Sequence, residues 1–241
     1  MPMLRFAVVN YSSVSNADVL TMTQACSAQL SNHIAPAWRR LSVPLSFYQS
    51  PSLVPAGASV IAIFNNSDEP GVLGYHDEYA GAPYARVFVS PIIQAGGVVL
   101  YSAQQKLSVS SVLSHEVAEL FCDPYVNAWC DGPALGGRIE YALEVCDPVE
   151  SDSYVIRVGL KSVWVSNFVF PSWFDRQAVN QQFDYMNRLR APFRMTAGGY
   201  MILRGAGSEN LVFGESYPSW KRGTKDHPAA RTFKRLSQKN A

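Results

Sequence analysis

Seven residues constrain this chain more than any others: Ser114-His115-Glu116-Val117-Ala118-Glu119-Leu120. They close an apolar-patterned segment that begins near Leu107, and the pattern predicts a helix over about 104–122. On a helix His115 and Glu119 stand one turn apart on the same face, where both reach one metal ion. Glu116 then lies beside them, placed to hold a water molecule. This is the spacing of a zinc-binding His-Glu-x-x-His helix with its second histidine exchanged for glutamate. With four histidines and nine glutamates in the chain, chance gives a His-Glu-x-x-Glu roughly once in two hundred such sequences, so its surroundings have to carry the argument.

A catalytic ion needs three protein ligands, an open coordination position and a base near its water. His115 and Glu119 supply two ligands, and Glu116 is the candidate general base. The third ligand is expected in the segment RIEYALEVCDPVE, residues 138–150, which offers Glu140, Glu144 and Asp147. Glu144 with Asp147 is the favoured pair, because a single helical turn would put them on one face. Glu140 is the substitute, and Asp123 competes from the position i+4 to Glu119 if the last helical turn stays regular. His76 is a second catalytic candidate, from a loop folded over the cleft, as a fourth ligand or as the stabiliser of a developing oxyanion. One histidine with two carboxylates cancels the charge of a divalent ion, so its water is activated less than between two neutral imidazoles. The cofactor expected is therefore Zn2+, with Mn2+ or another divalent ion as a competitor.

The rest of the chain reads as alternating strands and helices. Residues 3–10 form a buried first strand, and Ser15 or Asn16 caps a helix that runs to about His33 and is ended by Pro36. Strands follow at 43–49 and 58–64, then a polar turn at GYHDEY leading to a strand over Ala85–Ser90. After the central helix, terminated ahead of Pro124, come a glycine-rich loop, the 138–150 segment, strands at 153–158 and 161–170, a short helix at 175–190 and a last strand at 198–204.

Two domains-worth of behaviour are expected from the charges: a metal-binding domain over 1–215 and a basic tail over 216–241. From Pro218 onward seven lysines and arginines face one aspartate, so the tail carries +6 and the body −5 within a net charge of +1. Such an arm suits an acidic partner or nucleic acid. Charged residues are only 16% of the chain, which suits a surface partly covered by neighbouring subunits of an assembly. No apolar run has the length of a membrane span, and the start lacks the apolar core of a signal peptide, so a cytoplasmic protein with no membrane partner is expected. The four cysteines form no C-x-x-C pair and read as thiols, although Cys122 and Cys146, each directly before an Asp-Pro, would meet near the site.

SHEVAELFCDPYVNAW, EVCDPVE and the upstream GYHDEY with PYARVFV together resemble a family of zincin-like proteins encoded by bacteriophages and bacteria. That family recurs around SHEvxExxxDP…W, EVCDxVE and GYHD elements, and the resemblance covers about residues 59–174. It implies an α+β, zincin-like fold in which a mixed twisted sheet packs on the long active-site helix, with further strands after it. It marks His115, Glu119 and an acid within Glu144-Val145-Cys146-Asp147 as the matched positions. By analogy with zincins, the strand upstream of the helix would pair with an extended peptide. Two functions from different classes follow. One is a metal-dependent peptidase or other hydrolase acting on a peptide or protein, with Glu116 as general base. The other is a structural protein, such as a virion component, that keeps the fold and a weakly active or inactive metal site as scaffold.

Overall fold

Parallel pairing of three apolar runs begins the molecule. Phe6–Tyr11 (β1) is connected through Asn16–Gln29 (α1), a π turn at Leu30–Ile34 and Ala35–Ala37 (α2) to Leu45–Tyr48 (β2), which pairs in parallel beside β1. Ser59–Phe64 (β3) takes the other side of β1, and the hairpin of Gly74–Tyr79 (β4) and Ala82–Phe88 (β5) extends the sheet. The strand order is β2-β1-β3-β5-β4, with β4 the antiparallel edge strand. The structure is a computed structural model that describes residues 5–69, 71–133, 138–205 and 208–219. Nearly all of the basic tail expected over 216–241 lies outside the described residues.

After β5 the chain forms Val89–Gln94 (α3) and then the central helix Val109–Cys122 (α4). A second sheet holds Trp129–Asp131 (β6), Glu140–Ala142 (β7), Tyr200–Gly205 (β10) and Ser208–Phe213 (β11), in the order β11-β10-β7-β6. Ser153–Val158 (β8) and Lys161–Ser166 (β9) form a separate hairpin. The fold is thus mixed α+β. No helix among the described residues is long and apolar enough to cross a membrane.

Helix α4 is the common wall of these parts. It packs on α1, β4, β5 and β9, and Leu113, Val117, Ala118 and Leu120 are fully buried in the main core. Each large apolar side chain removed from water in this way contributes about 1.5–3 kcal/mol. Its small polar residues let the hairpin come close: Ser110 Oγ donates to the carbonyls of Leu100 and Trp164, and Ser114 Oγ accepts from the Ser166 amide at 2.7 Å. Arg40 donates to the Phe121 and Cys122 carbonyls, placing a cation at the negative end of the helix.

Several expectations about elements are corrected. The central helix starts at Val109 and not at 104, because Ser108 and Ser111 form a reciprocal capping box there. The segment at 175–190 is not a helix. Asn180 and Asn187 adopt positive φ, and the Asp184 carboxylate accepts the backbone amides of Arg188 and Leu189, local bonds that compete with helical ones. GYHDEY is a strand rather than a turn; the turn is Ala80-Gly81, both at positive φ, as a tight hairpin requires. The first helical segment continues past His33 through its π turn, with Pro36 inside the last turn rather than ending it. Strand β9 ends at Ser166, short of 170, and β5 ends at Phe88, short of Ser90.

Candidate metal centre

Three elements bring six ligand-type side chains together. Helix α4 contributes His115, Glu116 and Glu119; edge strand β4 contributes His76; the chain between β7 and β8 contributes Glu144 and Asp147. His115 is the most accessible of the six at 8% exposure, and the others lie between 0% and 2%. Three groups of side chains are close enough to hold an ion: His115, Glu119 and Cys146; His76, Glu116 and Glu119; Glu119, Glu144 and Asp147. Glu119 belongs to all three.

The approach of β4 to α4 depends on Gly74. A Cβ there would lie 2.8 Å from Val112 Cγ1 and 2.9 Å from Glu116 Oε1, so only glycine lets the strand lie flat against the helix. Alternation along β4 then turns the His76 ring inward. His76 Nδ1 comes to 3.5 Å from Glu119 Oε2 and 3.8 Å from Glu116 Oε2, and its Nε2 lies 3.8 Å from Glu144 Oε2. On the other side His115 Nε2 is 3.2 Å from Glu119 Oε1 and 3.2 Å from Asp147 Oδ1. The Cys146 amide donates to Glu119 Oε1 at 3.2 Å, fixing the carboxylate against the 144–147 segment.

Electrostatics ties the protons of these groups to one another. Burial opposes a charge on His76, but the carboxylates of Glu144, Glu116 and Glu119 outweigh it and raise its pKa to about 10. The same contest leaves His115 well above its ordinary value, with Glu119 and Asp147 prevailing over burial. Burial pushes Asp147 up to about 8, helped by Glu119 and resisted by His115. Glu119 is held well below the usual carboxylate range, the two histidines overcoming its burial. Without a cation, protons on the histidines are what balances the acids, and an ion must displace them.

The donor set fits a divalent cation. Both ring nitrogens of His76, both oxygens of Asp147 and Glu119 Oε2 are sealed from solvent without a hydrogen-bond partner, an arrangement that is costly for a protein unless something else satisfies these atoms. Ligands of one ion with bonds of about 2.0–2.2 Å stand roughly 3.0–3.6 Å apart, close to the separations found between the histidine nitrogens and the acids.

Of the residues singled out in the sequence, His115, Glu116, Glu119, Glu144, Asp147 and His76 are brought together. The two substitutes are not. Asp123 ends the helix at φ −134 and its carboxylate accepts the amides of Asn127 and Ala128, so the last turn does not continue regularly toward the site. Glu140, on β7, is paired with Arg204. Glu144 and Asp147 do not share a helical turn as expected; Asp147 opens a 3₁₀ turn and Glu144 precedes it in irregular chain. His76 arrives on a strand and not from a covering loop. Cys146 was expected near the site with Cys122 but not as a candidate ligand; it groups with His115 and Glu119, and its place directly before Asp147 was the available signal. It and Cys122 are both buried free thiols. Comparison with protein-family models, curated proteins and solved structures finds no match for this chain.

Proposed function

We propose that the chain is a zincin-like, metal-dependent hydrolase, most simply a peptidase. The observation that carries this reading is the glutamate that directly follows a candidate ligand on α4: Glu116 is buried among His76, Glu119 and the rest of the cluster, within reach of the same space. His115, Glu119, Asp147 and Glu144 are the candidate ligands of Zn2+ or Mn2+. A divalent ion there would polarise a carbonyl and lower the pKa of water. The Glu116 carboxylate takes the proton of the attacking water and returns it to the leaving amine. The His76 ring, when protonated, presents an N–H toward the developing oxyanion. The strand expected to receive a peptide, over Ala85–Ser90, is β5, which is paired on both sides, with β3 and β4; the edge strand is β4, and an extended peptide would add to it by backbone pairing.

A second reading is favoured by the closure of the site. With the cluster nearly sealed from solvent, an ion would serve chiefly to hold β4, α4 and the 144–147 segment together in a structural or assembly protein, where neighbouring subunits and the basic tail supply the contacts.

Metal analysis of the purified chain together with Glu116→Gln separates the two. For the hydrolase, the wild type carries a divalent ion and cleaves unfolded peptides, and Glu116→Gln loses about 100-fold or more in turnover while an ion remains on the His115 side. A metal-free, inert and fully stable wild type would sink this reading. A metal-bearing protein inert toward peptides would favour the structural role, which in turn fails if the chain stays monomeric at every concentration and binds no partner.

A further inference from the structure

Glu119 is shared between two histidines that approach it from opposite sides. Its Oε1 lies 3.2 Å from His115 Nε2 and its Oε2 lies 3.5 Å from His76 Nδ1. No one of the three groups able to hold an ion contains both imidazoles. A single ion bound by both histidines would need their nitrogens on one coordination sphere. His76 groups with Glu116 and Glu119, while His115 and Asp147 fall in the other two groups that share Glu119 and are joined to each other by the 3.2 Å approach of His115 Nε2 to Asp147 Oδ1.

We propose that the cluster is a two-ion centre in which Glu119 bridges two divalent cations, one taken by His76 and Glu116, the other by His115 and Asp147. The proposal rests on the metal-centre reading above but not on the hydrolytic role given there to Glu116, which it makes a ligand. Bridging through two oxygens is a carboxylate property, since a histidine has one free nitrogen once the other carries its proton. The exchange of histidine for glutamate at position 119 is what makes the second half-site available.

Charge supports the count. Glu116, Glu119, Glu144 and Asp147 carry four negative charges when ionised, and two neutral imidazoles add none. One divalent ion leaves two of those charges to be balanced by protons, as in the ion-free protein; two ions balance all four without them. His76 supplies independent support, because its ring is wholly buried and neither nitrogen has a hydrogen bond. An ion on Nδ1 satisfies one of them. The other lies 3.8 Å from Glu144 Oε2, outside hydrogen-bond length but on the side from which a carboxylate commonly orients a metal-bound histidine. Glu144 also belongs with Glu119 and Asp147, so it stands between the half-sites. In the two-ion protein Glu116 is a ligand, and its work as a base is confined to the protein that carries one ion.

Equilibrium dialysis of the full chain against Zn2+ and Mn2+, with elemental analysis, tests this. The expected result is two ions per chain for wild type and one for His76→Asn and for Glu116→Gln. In parallel, the electron paramagnetic resonance spectrum of the Mn2+-loaded wild type should carry the signature of exchange-coupled ions. One ion per chain with the hyperfine pattern of isolated Mn2+ overturns the two-ion centre and leaves the single-ion reading standing. No bound ion overturns both. Two uncoupled ions, or two ions retained by a folded His76→Asn, would place the second ion elsewhere and overturn the assignment. If the buried variants fail to fold, the wild-type spectrum still decides.

Discussion

A carboxylate at position 119 faces two imidazoles at once, and whether that matters could be read from the sequence only in part. His115, Glu116 and Glu119 were legible because helical periodicity is local, and Glu144 with Asp147 because their spacing from the helix falls in the right range. His76 was harder. Its arrival depends on the pairing of β4 with β5, in which it faces Ala85 across the hairpin, and nothing within its own segment specifies that. His33 illustrates another ring, half-buried on the π turn that follows α1. It stacks on Tyr185 with centroids 4.5 Å apart, and its Nδ1 lies 2.8 Å from the Tyr154 hydroxyl. Burial lowers its pKa, so the folded protein disfavours the charged ring. Above the ordinary histidine value this costs nothing. As the pH falls below that value the unfolded chain takes up the proton first, and stability is lost until the folded-state pKa is passed. Urea denaturation of wild type and His33→Gln at pH 7.5 and pH 5.5 should find the acid-induced loss smaller in the variant; an equal loss in both would refute the assignment.

Helix α4 and strand β4 form the element pair on which the site depends. Gly74→Ala should push them apart, because the added methyl meets Val112 and Glu116 on one side and the Arg86 carbonyl at 3.0 Å on the other. A loss of about 1–3 kcal/mol, the ordinary cost of overpacking, is expected in urea denaturation, together with weaker binding of divalent ions by dialysis. A variant with wild-type stability and ion binding would mean that the contact is slack. The strands most visible in the sequence were those with continuous apolar runs, β1 and β3, buried in the parallel part of a mixed sheet. β6 and β7 were not foreseen, each being only three residues long. The failed helix at 175–190 has the same cause in another form. Phe183 and Leu189 are indeed buried, but Asp184 bonds its own neighbourhood more effectively than a helix would.

Across the molecule, the cluster joins segments that are distant in sequence, from His76 to Asp147, and an ion bound there stabilises only the folded chain. A divalent ion present at about a hundred times its dissociation constant should add about 2.7 kcal/mol, raising the melting temperature by roughly 5–10 °C. Scanning calorimetry with and without a chelator measures this, and a melting temperature indifferent to both Zn2+ and Mn2+ would exclude ion binding by the native state. The mixed α+β architecture was legible from the order of patterns in the chain, while the second sheet was not, because β10 reaches β7 from some sixty residues away. The wall around the cluster has a kinetic consequence. An ion enclosed by side chains with so little solvent contact departs only when the surrounding chain opens, so its residence time is set by the breathing of the protein. Exchange of a labelled isotope would then run as a clock for that breathing, ticking at the rate at which β4 lifts from the helix.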